Sequence, residues 1–167
     1  KECCLIFHTQ PIDDNGTDLK ALCNRFLPGE NVVFTFEVNN GHFNDEEMNY
    51  IYNAADIYMN LASNEGFGLG SLEALAVGTP IVVNVTGGLQ DQCGFKKEDG
   101  SYLTADDYVE LQSNHRGKYK EHGEWVKPVF PSNISLCGSP LTPYIFDDRC
   151  SFEDGGDALL SWYLRGP

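Results

Sequence analysis

Two glutamates, Glu65 and Glu73, stand eight residues apart on either side of a glycine-rich run, Gly66-Phe67-Gly68-Leu69-Gly70. Glycines without a Cβ let backbone N–H groups approach a ligand closely, and a helix starting at the end of such a loop adds partial positive charge. That combination suits a phosphate. An ionised carboxylate offers only acceptors and can take two hydrogen bonds at once, which suits the vicinal hydroxyls of a sugar or ribose. Phosphate donors beside two diol acceptors read as a nucleotide-sugar site. A divalent cation would need further oxygen ligands, and no third carboxylate follows at a regular offset. No metal is therefore expected. A dinucleotide fingerprint also fails by count, because the last glycine position falls on Ser71 or on Glu73.

The elements around this loop alternate between strand and helix patterns. Cys3 to His8 reads as a short apolar strand, and Thr17 is placed to cap a helix running to about Phe26. Asn31 to Val38, with Val32, Val33, Phe34, Phe36 and Val38, reads as a buried strand. Asn44 with Glu47 three residues later has the form of a capping box, opening a helix with Met48, Ile51 and Tyr52 on its apolar face. Ile57 to Leu61 is the next strand. The glycine loop and its helix follow, stopped by Gly78-Thr79-Pro80, and Ile81 to Val85 is a further strand.

Strands joined by helices predict right-handed crossovers, a Rossmann-like parallel sheet and helices on both faces. Ligands in such α/β sheets bind beyond the carboxyl ends of the strands. Asn39-Asn40-Gly41, Ala62 to Gly70 and Thr86 to Gly88 all follow strands, so they are expected on one rim, with Asn39 a candidate for the nucleobase or a plain turn residue.

These motifs together resemble the C-terminal, donor-binding domain of the GT-B fold retaining glycosyltransferases, family 4 in particular. The resemblance rests on the Glu65-x7-Glu73 pair around Gly66-Phe67-Gly68-Leu69 and on Glu73-Ala74-Leu75-Ala76-Val77-Gly78-Thr79-Pro80. Tyr52-Asn53-Ala54-Ala55-Asp56-Ile57 and Thr86-Gly87-Gly88-Leu89-Gln90-Asp91 add to it. It covers about residues 30 to 92, with a weaker echo at 144 to 164.

The resemblance implies that Glu73 accepts from the ribose hydroxyls of the donor and that Glu65 contacts the transferred sugar. It places the amides of Phe67, Gly68 and Leu69 on the sugar or phosphates, and Gly66, Gly87 and Gly88 along the same cleft. It implies no cofactor beyond the nucleoside-diphosphate sugar itself, which is a co-substrate, and no firm protein nucleophile. The acceptor would be a saccharide, lipid or protein. The family's first strand–helix unit, which carries an Arg and a Lys for the diphosphate, has no counterpart here, because Cys3 to His8 resembles the family's second strand. By the same comparison the acceptor-binding amino-terminal domain would lie on a longer chain or a partner chain. Residues 1–167 then form a single donor-binding domain, incomplete at both ends, with residues 95–143 an inserted loop or arm. A GT-B nucleotide-sugar epimerase and a non-catalytic nucleotide-sugar-binding or scaffolding module are the alternatives. No histidine stands near the glutamate pair in sequence to serve the epimerase.

Composition narrows the partners. With 167 residues, 41% hydrophobic, the chain suits one compact domain with a core. A net charge of −14 argues against nucleic acid and anionic membrane surfaces. No Lys or Arg occurs between Phe26 and Phe95, so cations for a diphosphate must come from Lys96-Lys97, from Arg116, Lys118 and Lys120, or from outside. No apolar run reaches a membrane-spanning length, and the opening residues lack a signal-peptide pattern. Six cysteines without metal-site or regular spacing are expected to be reduced and mostly buried, in a cytoplasmic protein. After the inserted segment, Tyr144 to Phe146 is expected as a last strand. Ser151 then caps a helix packing through Phe152, Leu159, Leu160, Trp162 and Tyr163.

Overall fold

The computed structural model describes residues 3–14, 16–39, 41–107 and 118–165. It is an α/β structure with parallel sheets, as the alternating pattern predicts. The sequence reading has one domain, whereas the chain forms two compact units, Lys1–Met48 and Asn49–Pro167.

In the first unit, β1 (Cys4–Phe7) and β2 (Asn31–Phe34) pair in parallel with Cys4 opposite Asn31, joined through α1 (Leu19–Phe26). Phe7 and Phe34 stack at 5.2 Å between ring centroids. The cap of α1 is Asp18 rather than Thr17: its Oδ1 accepts from the Ala21 N–H at 2.8 Å. Both residue types cap well, but a side chain one position earlier cannot reach that donor. The expected strand to Val38 ends at Phe34 and gives way to a short helix, α2 (Thr35–Asn39). β1 offers only four residues to pair, so a longer β2 would leave ladder groups without partners. The buried Thr35 hydroxyl instead meets His8 Nδ1 at 2.7 Å, and Val38 is 75% exposed.

The capping box forms as its spacing requires: the Asn44 N–H donates to Glu47 Oε2 at 2.9 Å and the Glu47 N–H to Asn44 Oδ1 at 3.0 Å. It opens α3 (Asp45–Ala54), on which Tyr52 is buried.

The second unit is built on a three-stranded parallel sheet ordered β3 (Tyr58–Asn60), β4 (Ile81–Asn84), β5 (Val126–Val129). Between β3 and β4 runs α4 (Leu69–Ala76), which packs on both strands. Gly78, at φ +89°, ends it, with the Gly78 and Thr79 N–H groups returning to Leu75 and Ala74 carbonyls. All four residues of β4 are buried, as a central parallel strand requires. Ile81, Val82, Val83, Val85, Leu89, Cys93 and Val126 form the heart of the core. Each large aliphatic side chain there contributes about 1.5–3 kcal/mol by leaving water.

The segment read as an inserted arm at 95–143 contributes more than a loop. It contains β5, all of β6 (Asn133–Ser139), the first strand of an antiparallel hairpin, and the start of β7 (Thr142–Arg149), which completes it. Pro128 masks β5 in the sequence, since proline removes a ladder donor. At the sheet edge its missing N–H lies on the side away from β4 and costs no bond.

Ser151 caps α5 (Phe152–Arg165) through Oγ, which accepts from the Asp154 N–H at 3.0 Å. The inward face of α5 runs along Gly155, Ala158 and Trp162, so of the packing residues expected Trp162 turns inward. A Cβ on Gly155 would come within 2.9 Å of Leu61 Cδ1, so a larger residue there requires that side chain to shift. Phe152, Leu160 and Tyr163 are left exposed.

The cysteines are all free thiols, but only Cys93 is buried; Cys3, Cys4 and Cys137 are exposed. Cys4 and Cys137 lie on two-stranded sheets and Cys3 just before the first of them. Among the described residues no helix is long and apolar enough to cross a membrane.

Candidate functional site

The loop from Leu61 to Gly68 leaves the carboxyl end of β3 and enters α4 directly. Gly68 caps the helix in the left-handed region, φ +83°, and supplies no side-chain acceptor. A side chain there would collide with Leu89. The first N–H groups of α4 have no acceptor inside the helix, as at any helix start, so the loop ends on available donors. Gly68 itself is buried, whereas Gly66, Phe67 and Leu69 are exposed beside it.

The loop after β4 lies against this one. Gly87-Gly88 opens a 3-10 turn over Gly87–Cys93, and the Gly88 N–H donates to the Glu65 carbonyl at 3.0 Å. A Cβ on Gly87 would strike the Glu65 carbonyl. One on Gly88 would strike the Gly66 carbonyl and lie 2.6 Å from the Phe67 Cα. Both glycines are thus required for backbone-to-backbone packing. Gln92, at the end of the same turn, donates from Nε2 to the Phe67 and Gly68 carbonyls at 2.6 and 3.0 Å. Trp125 Nε1 in turn donates to the Gln92 carbonyl at 2.9 Å.

The hairpin holds the other side. Ser63 donates to the Asp147 carboxylate, and Asn64 Nδ2 donates to the Phe146 carbonyl at 3.2 Å. The Asp148 N–H donates to the Ser63 carbonyl at 2.8 Å. Ser63 and Arg149 together hold the Asp147 carboxyl below the usual carboxylate range. Deeper in, the Thr86 hydroxyl donates to the buried Asp148 carboxylate at 2.9 Å, and Asn84 Nδ2 donates to the Ala62 and Asp148 carbonyls at 2.9 and 2.6 Å.

Glu73 meets a tyrosine pair. Tyr52 Oη donates to Glu73 Oε2 at 2.7 Å, and the Tyr52 and Tyr58 rings lie 5.8 Å apart. Burial, and then the negative charges of Glu65 and Glu73, push the Tyr58 hydroxyl upward. Burial and the Glu73 bond push Tyr52 upward as well. Gly70 makes room for both hydroxyls: a Cβ there would come within 3.2 Å of Tyr52 Oη and closer still to Tyr58. Glu65 is partly and Glu73 largely accessible to solvent.

Glu65, Gly66, Phe67, Gly68, Leu69, Glu73, Gly87 and Gly88 therefore form one cluster. Asn39 lies in the first unit, where its Nδ2 closes a turn by donating to the His42 carbonyl at 2.8 Å. Three of the candidate cations have partners of their own. Lys97 pairs with Asp107 at 2.8 Å, Lys120 with Glu98 at 3.6 Å, and Lys96 lies over the Tyr102 ring. Arg116 lies outside the described residues. No group of three His, Cys, Asp or Glu side chains fit for a metal occurs among the described residues.

Sequence reasoning missed Tyr58, Gln92, Gly70 and the Ser63–Asp147 contact. Tyr52 stood within a quoted motif, but only as a packing residue. Nothing local marks Gln92, whose partners lie 24 and 25 positions away.

Comparison with known proteins gives the same placement. The profile of the family described as glycosyl transferases group 1 matches residues 14–108. An uncharacterized glycosyltransferase of Methanocaldococcus jannaschii is 36% identical over 117 residues, covering 70% of this chain and 23% of its own length. A D-inositol 3-phosphate glycosyltransferase of Corynebacterium urealyticum is 53% identical over 45 residues, 27% of this chain and 11% of its own. A mannosylfructose-phosphate synthase of Agrobacterium fabrum is 45% identical over 49 residues, 29% of this chain and 11% of its own. The matched stretches thus span at most about a quarter of these relatives. No solved structure matches the chain significantly. With more than half of its residues matched by the family profile, and this loop at the centre of the match, the chain belongs to the group 1 glycosyltransferases.

Proposed function

We propose that this chain is the donor-binding part of a retaining glycosyltransferase, which transfers a sugar from a nucleoside-diphosphate sugar to a saccharide, lipid or protein acceptor. The observation that carries this reading is Glu73, held by Tyr52, on the helix that opens from a glycine loop whose Glu65 carbonyl is fixed by the Gly88 N–H. Glu73 accepts from the ribose hydroxyls and Glu65 from the transferred sugar. The amides of Phe67, Gly68 and Leu69 face the sugar or the phosphates. Charge growing on the departing diphosphate is best met by such preorganised donors. Attack by the acceptor from the same face as the leaving group retains configuration without a protein nucleophile.

A transferase also needs cations at the diphosphate and an acceptor site. Both are assigned to a further domain, on the same longer chain or on a partner. Free cysteines throughout the described residues accord with a reducing, cytoplasmic setting. The engagement of Lys96, Lys97 and Lys120 away from the loop favours a second reading, a nucleotide-sugar-binding module without turnover.

Thermal stability against UDP, GDP, ADP and their sugar conjugates tests donor binding, with Glu73→Ala as control. Ligand at 100 times Kd adds about 2.7 kcal/mol, an easily visible rise in Tm. Stabilisation by one nucleotide family, lost in the variant, is expected; an unchanged Tm with every ligand overturns the reading for this chain. Assay with the acceptor domain supplied then separates transferase from module.

A further inference from the structure

Glu73 lies on the exposed side of α4, where a free glutamate samples many rotamers. Such a side chain binds a diol weakly, because ordering it opposes the gain from each hydrogen bond. Here it is already ordered. Tyr52 is only 9% exposed, and its hydroxyl donates to Glu73 Oε2 at 2.7 Å. The tyrosine is held from three sides. Its ring packs at 5.8 Å from Tyr58, its carbonyl accepts from Thr79 Oγ1 at 2.9 Å, and Gly70 leaves the space its hydroxyl occupies.

From this geometry we propose that Tyr52 is a positioning residue for the donor nucleotide, fixing the Glu73 carboxylate so that it meets the ribose diol preorganised. The inference rests on the donor-site reading above. With Oε2 accepting from Tyr52, Oε1 carries most of the remaining acceptor capacity of the carboxylate. The bond requires a protonated phenol, and burial together with Glu73 keeps it so at working pH. Tyr58 contributes by packing its ring against that of Tyr52.

The alternative is that Tyr52 only fills the core beneath α4. The two roles separate by ligand. The test measures Kd for UDP, GDP and ADP and for their 2′,3′-dideoxy counterparts, on the 167-residue chain and its Tyr52→Phe variant. Positioning predicts that Tyr52→Phe weakens the bound ribonucleotide about threefold to tenfold, the worth of one hydrogen bond. The dideoxy compound, having no diol to meet, should keep its affinity within about twofold, well below the worth of that bond. Equal weakening of both ligands, or weakening of neither, overturns the proposal while leaving the donor site standing. Failure of the unmodified chain to bind any of the six compounds overturns the donor-site reading and this inference with it. Should Tyr52→Phe not fold, 4-fluorophenylalanine at position 52 fills the hydroxyl's volume with no proton to donate. It must give the same ligand-selective loss, while 4-aminophenylalanine, which restores a donor, must give none.

Discussion

The Gly88 N–H donates to the Glu65 carbonyl at 3.0 Å, so the loop after β4 meets the loop after β3 backbone to backbone. The contact lies at the carboxyl end of the sheet, where crevices in open α/β folds form. It sets the position of the residue that precedes the glycine run, and hence where a ligand meets the start of α4.

Gly88→Ala should therefore be severe and Gly66→Ala mild. A Cβ at Gly88 meets the Gly66 carbonyl and the Phe67 Cα, which are backbone and cannot rotate away, whereas nothing lies within 4 Å of one at Gly66. Urea denaturation should show a loss of about 1–3 kcal/mol for Gly88→Ala, as for other overpacked sites. Gly66→Ala should stay within about 0.5 kcal/mol. If Gly66 faces ligand, its variant will lose nucleotide binding with stability intact.

Gln92→Leu removes the donor that joins the Phe67 and Gly68 carbonyls. Leaving those groups unpaired beside a buried leucine should cost about 1–3 kcal/mol. The loop should also loosen, seen as faster amide hydrogen exchange over residues 64–70 and weaker nucleotide binding. Unchanged exchange in this segment would show that the Gly88–Glu65 bond and the hairpin contacts hold the loop without Gln92.

Thr86→Val keeps the shape of a fully buried side chain but removes a hydrogen bond to the buried Asp148 carboxylate. A loss of about 1–3 kcal/mol is expected in chemical denaturation. The loss should shrink in the Asp148→Asn background, because the two residues act as a pair.

Alkaline pH should destabilise the protein. Burial pushes the Cys93 thiol up from 9.0 to about 12 and Cys150 up to about 11. A raised folded pKa gives full stability below the unfolded value, which is lost as pH climbs towards the folded one. Between pH 9 and about 12, each unit should cost up to about 1.4 kcal/mol for the buried Cys93, while the part-exposed Cys150 adds less and only up to about pH 11. Denaturation midpoints measured from pH 8 to 11 should fall, and Cys93→Ala should flatten that fall.

Much of this molecule was legible in short stretches of sequence. The capping box at Asn44 and Glu47, the Ser151 cap, the Gly78-Thr79-Pro80 stop and the apolar run of β4 each obey rules acting within about one turn. The glycine loop between its two glutamates was visible for the same reason. Tertiary structure alone decided what touches that loop. Tyr52 reaches Glu73 across 21 positions, Gln92 reaches Phe67 across 25, and Thr86 reaches Asp148 across 62. It also turned residues 126–129 into an edge strand despite Pro128, and left Phe152 in solvent by burying Gly155 instead. These outcomes depend on sheet register and on how near two backbones can come, which are properties of the assembled elements and not of any one of them.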